Sequence, residues 1–405
     1  VTGRVLVVGA SHAGVQVAAA LRDAGHEAPV TVVGAEPHLP YHRPPLSKAY
    51  LAGAATPDSM ALRPATYYET AGIDLVRGER VTTIDRAAGV AVTGTGRELA
   101  FDRLALAPGA RARRLTVPGA ELPGVVYLRD LRDAEALRGR LGTTRSAVVV
   151  GGGFIGLEAA AVLAQLGVTV TVAEAGERLM ARAVTPTLSD WFAGLHARHG
   201  VEVRTGTAVA AIDGAGAVES VTLDDGTTVA ADLVVVGIGV EPRVELAEQL
   251  GLTVAGGIVV DARARTSDPE VVAVGDAVVL PHPLEPGASI RLESVQNATD
   301  QAVVAASTLL GGDREHTGVP WFWSDQFDVK LQMAGAPTSC DQLVPRGSVE
   351  AGSFTVLRYR EGRLVGCECI NAGADFVAVR RALAAGTTFA PEQASDAGVR
   401  LKTLL

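Results

Sequence analysis

The chain has 405 residues, too many for one ordinary hydrophobic core, so two or three domains are expected; 48% of the residues are apolar and only 4% aromatic. No apolar run approaches the roughly 18 residues of a membrane span, which argues against a transmembrane helix and against a membrane partner. The net charge of −9 disfavours nucleic acid, whose binding rests on basic surface, and with no basic, apolar leader in view the expected location is the cytoplasm.

Arg4–Val8 reads as a strand, followed by the loop VVGASHAG (7–14), a helix from Ala13 to about Ala24 and a strand Val30–Val33 that runs into Gly34-Ala35-Glu36. This is a βαβ unit, and it recurs. Ser146–Val150 is a strand, Gly156–Leu166 a helix and Thr169–Glu174 a strand with an acid at its tip. Between the copies lie short strand candidates such as Val90–Val92 and the buried-looking segment FDRLALAPGA (101–110). After the second copy, ADLVVVGIGVEP (231–242) repeats the strand-then-loop pattern. Residues 257–310 read as a return to the first domain: a strand Gly257–Val260, then EVVAVGDAV (270–278), then a helix from about Asn297 to Leu310.

From Pro320 the texture changes: Trp321, Phe322, Trp323 and Phe327 cluster, and strands Phe354–Tyr359 and Leu364–Ile370 precede a helix near Phe376–Ala385. Residues 317–405 carry nine basic and nine acidic residues, so the whole negative balance lies before them. Cys340, Cys367 and Cys369 all fall in this tail. Residues i and i+2 share a strand face, which favours packing for Cys367-x-Cys369 over metal or redox work, and no metal site is expected. The hexapeptide LVPRGS (343–348) matches a thrombin cleavage sequence; in mid-domain it reads as coincidence.

The loop VVVGGGFIGLE (148–158) is a complete dinucleotide fingerprint at Gly151, Gly153 and Gly156. It follows a strand and opens a helix. Glu174, at the tip of the next strand, can accept from both ribose hydroxyls and would repel a 2′-phosphate, so NAD(H) is expected over NADP(H). The first copy keeps Gly9 and Gly14 but has Ser11 in the middle. It is either a worn loop or one in which a small residue with a hydroxyl still allows phosphate at the helix N-terminus. Glu36 is the expected ribose acid there, with the assignment open by one residue at Ala35.

PYHRPPLSK (40–48) and AVGDAV (273–278) are bland separately, the one a solvated turn and the other a Gly-Asp turn. In order with GxSxxG, the APG segment, GGGFIGLE, VVVGIGVEP, RLESVQNATDQA (291–302) and PWFWSDQ (320–326), they resemble the FAD-dependent, NADH-using ferredoxin reductases of bacterial oxygenase systems, the putidaredoxin reductase type. The resemblance covers nearly the whole chain. Ser11, and Pro108 where relatives usually have threonine, depart from the pattern.

The resemblance implies an α/β fold with two Rossmann-like dinucleotide-binding domains of glutathione-reductase type plus a C-terminal α+β domain. The boundaries expected are 1–111 with 239–316 for FAD, 112–238 for NADH and 317–405 for the tail. Non-covalent FAD is then held by Gly9, Ser11, His12, Ala13, Gly14, Glu36, Arg43, Lys48, Ala107, Arg129, Gly275, Asp276, Val295 and Trp323. NADH, a cosubstrate, falls to Gly151, Gly153, Ile155, Gly156, Glu158, Glu174, Arg182 and Gly239. Hydride passes from NADH to FAD, where positioning carries most of the catalysis. Disulfide reductases of this fold relay electrons through two cysteines, and here no cysteine precedes residue 340. The expected acceptor is therefore an external carrier, and the resemblance implies that it is a ferredoxin with a 2Fe–2S cluster, feeding an oxygenase such as a cytochrome P450.

Other readings stay open: a rubredoxin or small-acceptor reductase, or a slowly turning-over NADH-responsive flavoprotein of the apoptosis-inducing-factor kind. A monomer or weak dimer is expected. Lys48 and Glu158 are expected to lie together at the junction of flavin and nicotinamide as the catalytic pair. The tail's Lys330, Arg346, Arg380 and Arg381 offer a basic patch for an acidic ferredoxin on the Trp323 side.

Overall fold

The computed structural model describes residues 3–405, which divide into two compact units. The first comprises the chain up to His42, Pro57–Arg111 and Glu241–Trp321; the second comprises Arg43–Thr56, Ala112–Val240 and Phe322–Leu405.

The first unit is built on a five-stranded parallel sheet in the order Val271–Ala273, Arg103–Leu106, Val5–Val8, Val30–Gly34, Ile73–Arg77. The central strand reads VLVV because both of its faces are covered. Val5 and Val7 pack with Val15 and Leu21 of the helix His12–Asp23 and with Val304 of the helix Val295–Leu309. Leu6 and Val8 pack on the other side with Leu104, Leu106 and Ile84. A three-stranded antiparallel sheet, Val81–Asp85, Val90–Thr93 and Glu98–Ala100, completes the unit's main framework.

The second unit repeats this plan. Its parallel sheet runs Glu202–Thr205, Thr169–Glu174, Ser146–Val150, Leu233–Val236, Val125–Tyr127, and its antiparallel trio is Val209–Asp213, Ser220–Leu223 and Thr228–Ala230. In both sheets the chain leaves the central strand toward one neighbour and later returns to the other side. That reversal is the switch point at which open parallel sheets bind ligands, and each glycine loop sits there.

The second unit also holds an antiparallel sheet in the order Trp321–Gln326, Val329–Ala334, Arg363–Ile370, Ser353–Arg360, Gln342–Ser348, with the helix Gly373–Ala385 against it. Leu331, Phe354, Val356 and Ile370 of this sheet belong to the same buried cluster as Val149, Leu157 and Phe192. Glu368 is fully buried and accepts from the Thr185 backbone N–H (2.9 Å) and hydroxyl (2.6 Å) and from Arg358 (3.2 Å). Burial pushes its carboxyl pKa up, and these donors oppose the rise. Cys367 and Cys369 lie buried on one strand face, Sγ to Sγ 3.7 Å. Among the described residues no helix is long and apolar enough to cross a membrane, and no group of acidic, histidine or cysteine side chains is arranged to hold a metal.

The helices start earlier than the sequence suggests: at His12, Phe154, Val295 and Gly373. For Val295–Leu309 the reason is a cap, the Ser294 hydroxyl accepting from Asn297 N–H at 3.1 Å.

One expectation is corrected here. Arg346 is 6% exposed and cannot belong to a docking patch; it donates to Asp375 (2.8 Å) and to the carbonyls of Ala394 (2.6 Å), Asp396 (3.2 Å) and Val399 (2.9 Å). Lys330, though exposed, is paired with Asp325 at 2.8 Å. Arg346 also sits inside the thrombin-like hexapeptide, which forms the strand Gln342–Ser348 paired with Ser353–Arg360. A protease needs both the arginine side chain and a free extended backbone, so the folded protein is expected to resist thrombin under conditions that cut a denatured sample. A gel showing release of fragment 347–405 from the folded protein would show that this strand opens readily.

Candidate functional site

In the first unit a Cβ on Gly9, where φ is +120°, would overlap the Ala107 carbonyl oxygen, and one on Gly14 would overlap that of Gly9. Close approach of strand, loop and helix therefore requires both glycines. Ser11 is the N-cap of His12–Asp23. A Cβ on Gly275 would lie 3.2 Å from that of Ala13, so the segment ahead of Asp276 abuts the start of this helix. Gly9, Ala13, Gly14, Ala107 and Gly275 thus converge. The His12 and His42 rings meet at 3.2 Å between Nε2 and Nδ1. Glu36 accepts from the Tyr41 hydroxyl at 2.5 Å, which orients its carboxylate at the strand end. The sequence reading missed Gln301, whose Oε1 accepts from Gly275 N–H at 2.6 Å and holds the Gly-Asp turn; the QNATDQA run carried that signal.

In the second unit the three glycines separate by role. A Cβ on Gly151 (φ +103°) would come within 2.6 Å of the Gly237 carbonyl, and one on Gly156 would overlap the Gly151 carbonyl. At Gly153, the N-cap of Phe154–Gln165, the nearest atom would be 3.9 Å away. The outer glycines are thus demanded by packing, while the middle one faces open space at a helix N-terminus, the place a dinucleotide diphosphate fills. The loops fit such a group, with Ser11 at the corresponding position of the first.

Glu174 receives one backbone N–H on each oxygen, from Gly152 at 2.6 Å and Gly176 at 2.7 Å. This fixes the carboxylate beside the loop and leaves each oxygen a further lone pair for a ribose hydroxyl. Arg182 reaches the other side, its Nη2 lying 3.5 Å from where a Gly239 Cβ would be. Ile155 is 44% exposed, an apolar side chain at the open face of the loop.

The second unit also carries the polar centre. Two prolines start the short turn Pro44–Ser47, and the turn delivers Ser47 and Lys48 to the helix Phe154–Gln165. Lys48 Nζ lies 2.6 Å from Glu158 Oε2, and the Ser47 hydroxyl donates to the same oxygen at 2.5 Å. Glu158 Oε1 accepts from the Ser324 hydroxyl at 2.6 Å. Only 2% of the Glu158 side chain is exposed, against 21% of that of Lys48, so the carboxylate depends on these donors while the lysine side chain is partly open to solvent. The sequence reading brought Lys48 and Glu158 together but missed both serines. Arg43 donates to the Arg129 carbonyl at 2.7 Å, so these two also meet. Trp323 packs against Phe322, ring centroids 6.4 Å apart.

Residues 3–302 match the family described as pyridine nucleotide-disulphide oxidoreductase, and residues 321–405 match the reductase C-terminal family. The chain is 45% identical to rhodocoxin reductase of Rhodococcus erythropolis, over 98% of this chain and 93% of that one. The crystal structure of the ferredoxin reductase for the CYP199A2 system from Rhodopseudomonas palustris superposes with a TM-score of 0.96 at 44% identity, covering 99% of both chains. The reductase of the covalent putidaredoxin reductase–putidaredoxin complex gives 0.95 at 38% identity, over 99% of this chain and 97% of that one. With two dinucleotide loops on paired parallel sheets and a reductase C-terminal domain, the chain belongs to the pyridine nucleotide-disulphide oxidoreductase family of flavin-dependent enzymes.

Proposed function

We propose that the protein is a cytoplasmic NADH-dependent ferredoxin reductase, with non-covalent FAD on the Gly9 loop and NADH on the Gly151 loop. Bound, the nicotinamide supplies a hydride and the flavin passes the electrons on singly. The protein's share is to hold, orient and shield. The observation that carries this reading is the presence of two glycine-loop units of the dinucleotide-binding plan together with cysteines found only from residue 340 onward, two of them sealed in the C-terminal core. No thiol pair lies within the matched 3–302 segment to receive electrons, so the acceptor is a separate carrier. The relatives' names support a ferredoxin as that carrier, serving a dioxygenase or a CYP199A2-type system; a 2Fe–2S cluster in that ferredoxin is part of the proposal.

The test is anaerobic. NADH is expected to bleach the flavin of the FAD-loaded protein, and a 2Fe–2S ferredoxin is expected to reoxidise it within turnover time. Preferential reoxidation by a rubredoxin would reassign the acceptor, and bleaching without reoxidation by either carrier would reject the reductase reading.

Glu174 gives a separate prediction. Its carboxylate, locked by two N–H groups, accepts from ribose hydroxyls and repels a 2′-phosphate. Wild type is expected to favour NADH over NADPH by at least about tenfold in kcat/KM, a difference of about 1.4 kcal/mol, and Glu174→Ala to narrow that ratio. Equal kcat/KM for the two cofactors in wild type would overturn the ribose argument.

A further inference from the structure

We infer that Ser324, from the strand Trp321–Gln326, is a positioning residue of the hydride-transfer centre, holding the Glu158 carboxylate turned toward Lys48. The inference rests on the function proposed above. Its basis is a chain of hydrogen bonds in which each proton has only one direction to point.

A carboxylate is acceptor-only, so the Ser324 hydroxyl must spend its proton on Glu158 Oε1 (2.6 Å). Its oxygen can then only accept, and Gln326 Nε2 donates to it at 3.3 Å. That leaves Gln326 Oε1 toward His196, whose Nε2 lies 2.9 Å away and must carry the proton. His196 is fully buried, burial lowers its pKa, and its Nδ1 has no partner, which together describe a neutral imidazole protonated at Nε2. Every donor from His196 inward therefore points at Glu158. Ser47 and Lys48 complete the set on Oε2. A buried carboxylate with an unsatisfied oxygen costs far more than one with its donors in place.

The geometry is built from two periodicities. Phe322 and Ser324 share one face of a strand, and Phe154 and Glu158 share one face of a helix. Phe322 packs on Phe154 at 4.6 Å between ring centroids while Ser324 meets Glu158, so the aromatic contact sets the register of the polar one.

The chain contains only three lysines, Lys48, Lys330 and Lys402, which makes a direct readout possible without turnover. Competitive acetylation of the purified holoprotein, read peptide by peptide, gives the reactivity of Lys48 with Lys330 and Lys402 as internal references. Ser324→Ala is expected to raise relative Lys48 reactivity at least about threefold, because a carboxylate released from one side pairs less firmly, and to slow flavin reduction by NADH about tenfold, or about 1.4 kcal/mol. Ser324→Thr, which keeps the hydroxyl, is expected to restore both. Wild-type Lys48 reactivity in a folded Ser324→Ala protein would overturn the inference, as would failure of Ser324→Thr to rescue. Should Ser324→Ala not fold, Gln326→Leu, which removes the next donor, is expected to shift Lys48 in the same direction, and no shift there would equally overturn it. Failure of NADH to bleach the wild-type flavin would sink the reductase reading while leaving the acetylation result to stand alone.

Discussion

Glu158→Ala is expected to slow single-turnover reduction of the bound flavin by NADH about 100-fold, the scale of loss that follows when a reacting group is misplaced by an ångström or so. The substitution removes the ion partner of Lys48 and leaves the Ser47 and Ser324 hydroxyls pointing at a cavity. Lys48, 21% exposed, can then swing its ammonium into water. Glu158→Gln keeps the shape and removes the charge, so it separates the two contributions; most of the loss should persist if the charge is what holds the lysine. Lys48→Ala works from the other side, leaving a buried carboxylate supported by hydroxyls alone. Neither change touches the first-unit loop, so the flavin should stay bound through gel filtration while its reduction slows. Unchanged bleaching rates in both variants would remove the pair from the mechanism and reduce it to a structural tie.

Legibility from sequence followed burial. Ser146–Val150 and Thr169–Glu174 match residue for residue, because a strand buried over most of its length is rich in valine and other β-branched residues and is closed off by glycine or an acid. The antiparallel trios were mostly unread, since strands such as Val81–Asp85 expose three of five residues and look like loop. Ser47 and Ser324 lie 277 positions apart and join only through Glu158, a relation no local pattern encodes. Arg346 shows a subtler failure. Counting charges in the tail placed it on a surface, yet Val344 and Arg346 share one face of their strand and both are buried. Alternation was the better guide than charge.

That burial leads to the second large effect: Arg346→Ala is expected to destabilise the C-terminal sheet by about 3–5 kcal/mol, the cost of breaking a buried ion pair from one side. The guanidinium joins the strand Gln342–Ser348 to Asp375 in the first turn of the helix Gly373–Ala385 and to three carbonyls in the terminal segment 394–399. Without it, Asp375 keeps its bond from the Thr355 hydroxyl (3.1 Å), and the terminal carbonyls lose their tie to the sheet. Lysine cannot replace it, because one ammonium cannot span four acceptors in a planar fork. A chain of this size does not unfold in one step, so the measurement is hydrogen exchange in peptides covering 342–348 and 391–399, where protection should fall first. Ferredoxin KM at full folding should respond to Arg380→Glu and Arg381→Glu, whose side chains reach the surface, and not to Arg346→Lys beyond its effect on folding. Full protection of both peptides in Arg346→Ala would show that the sheet and the terminal segment hold together through packing alone, with the arginine's four bonds contributing nothing net.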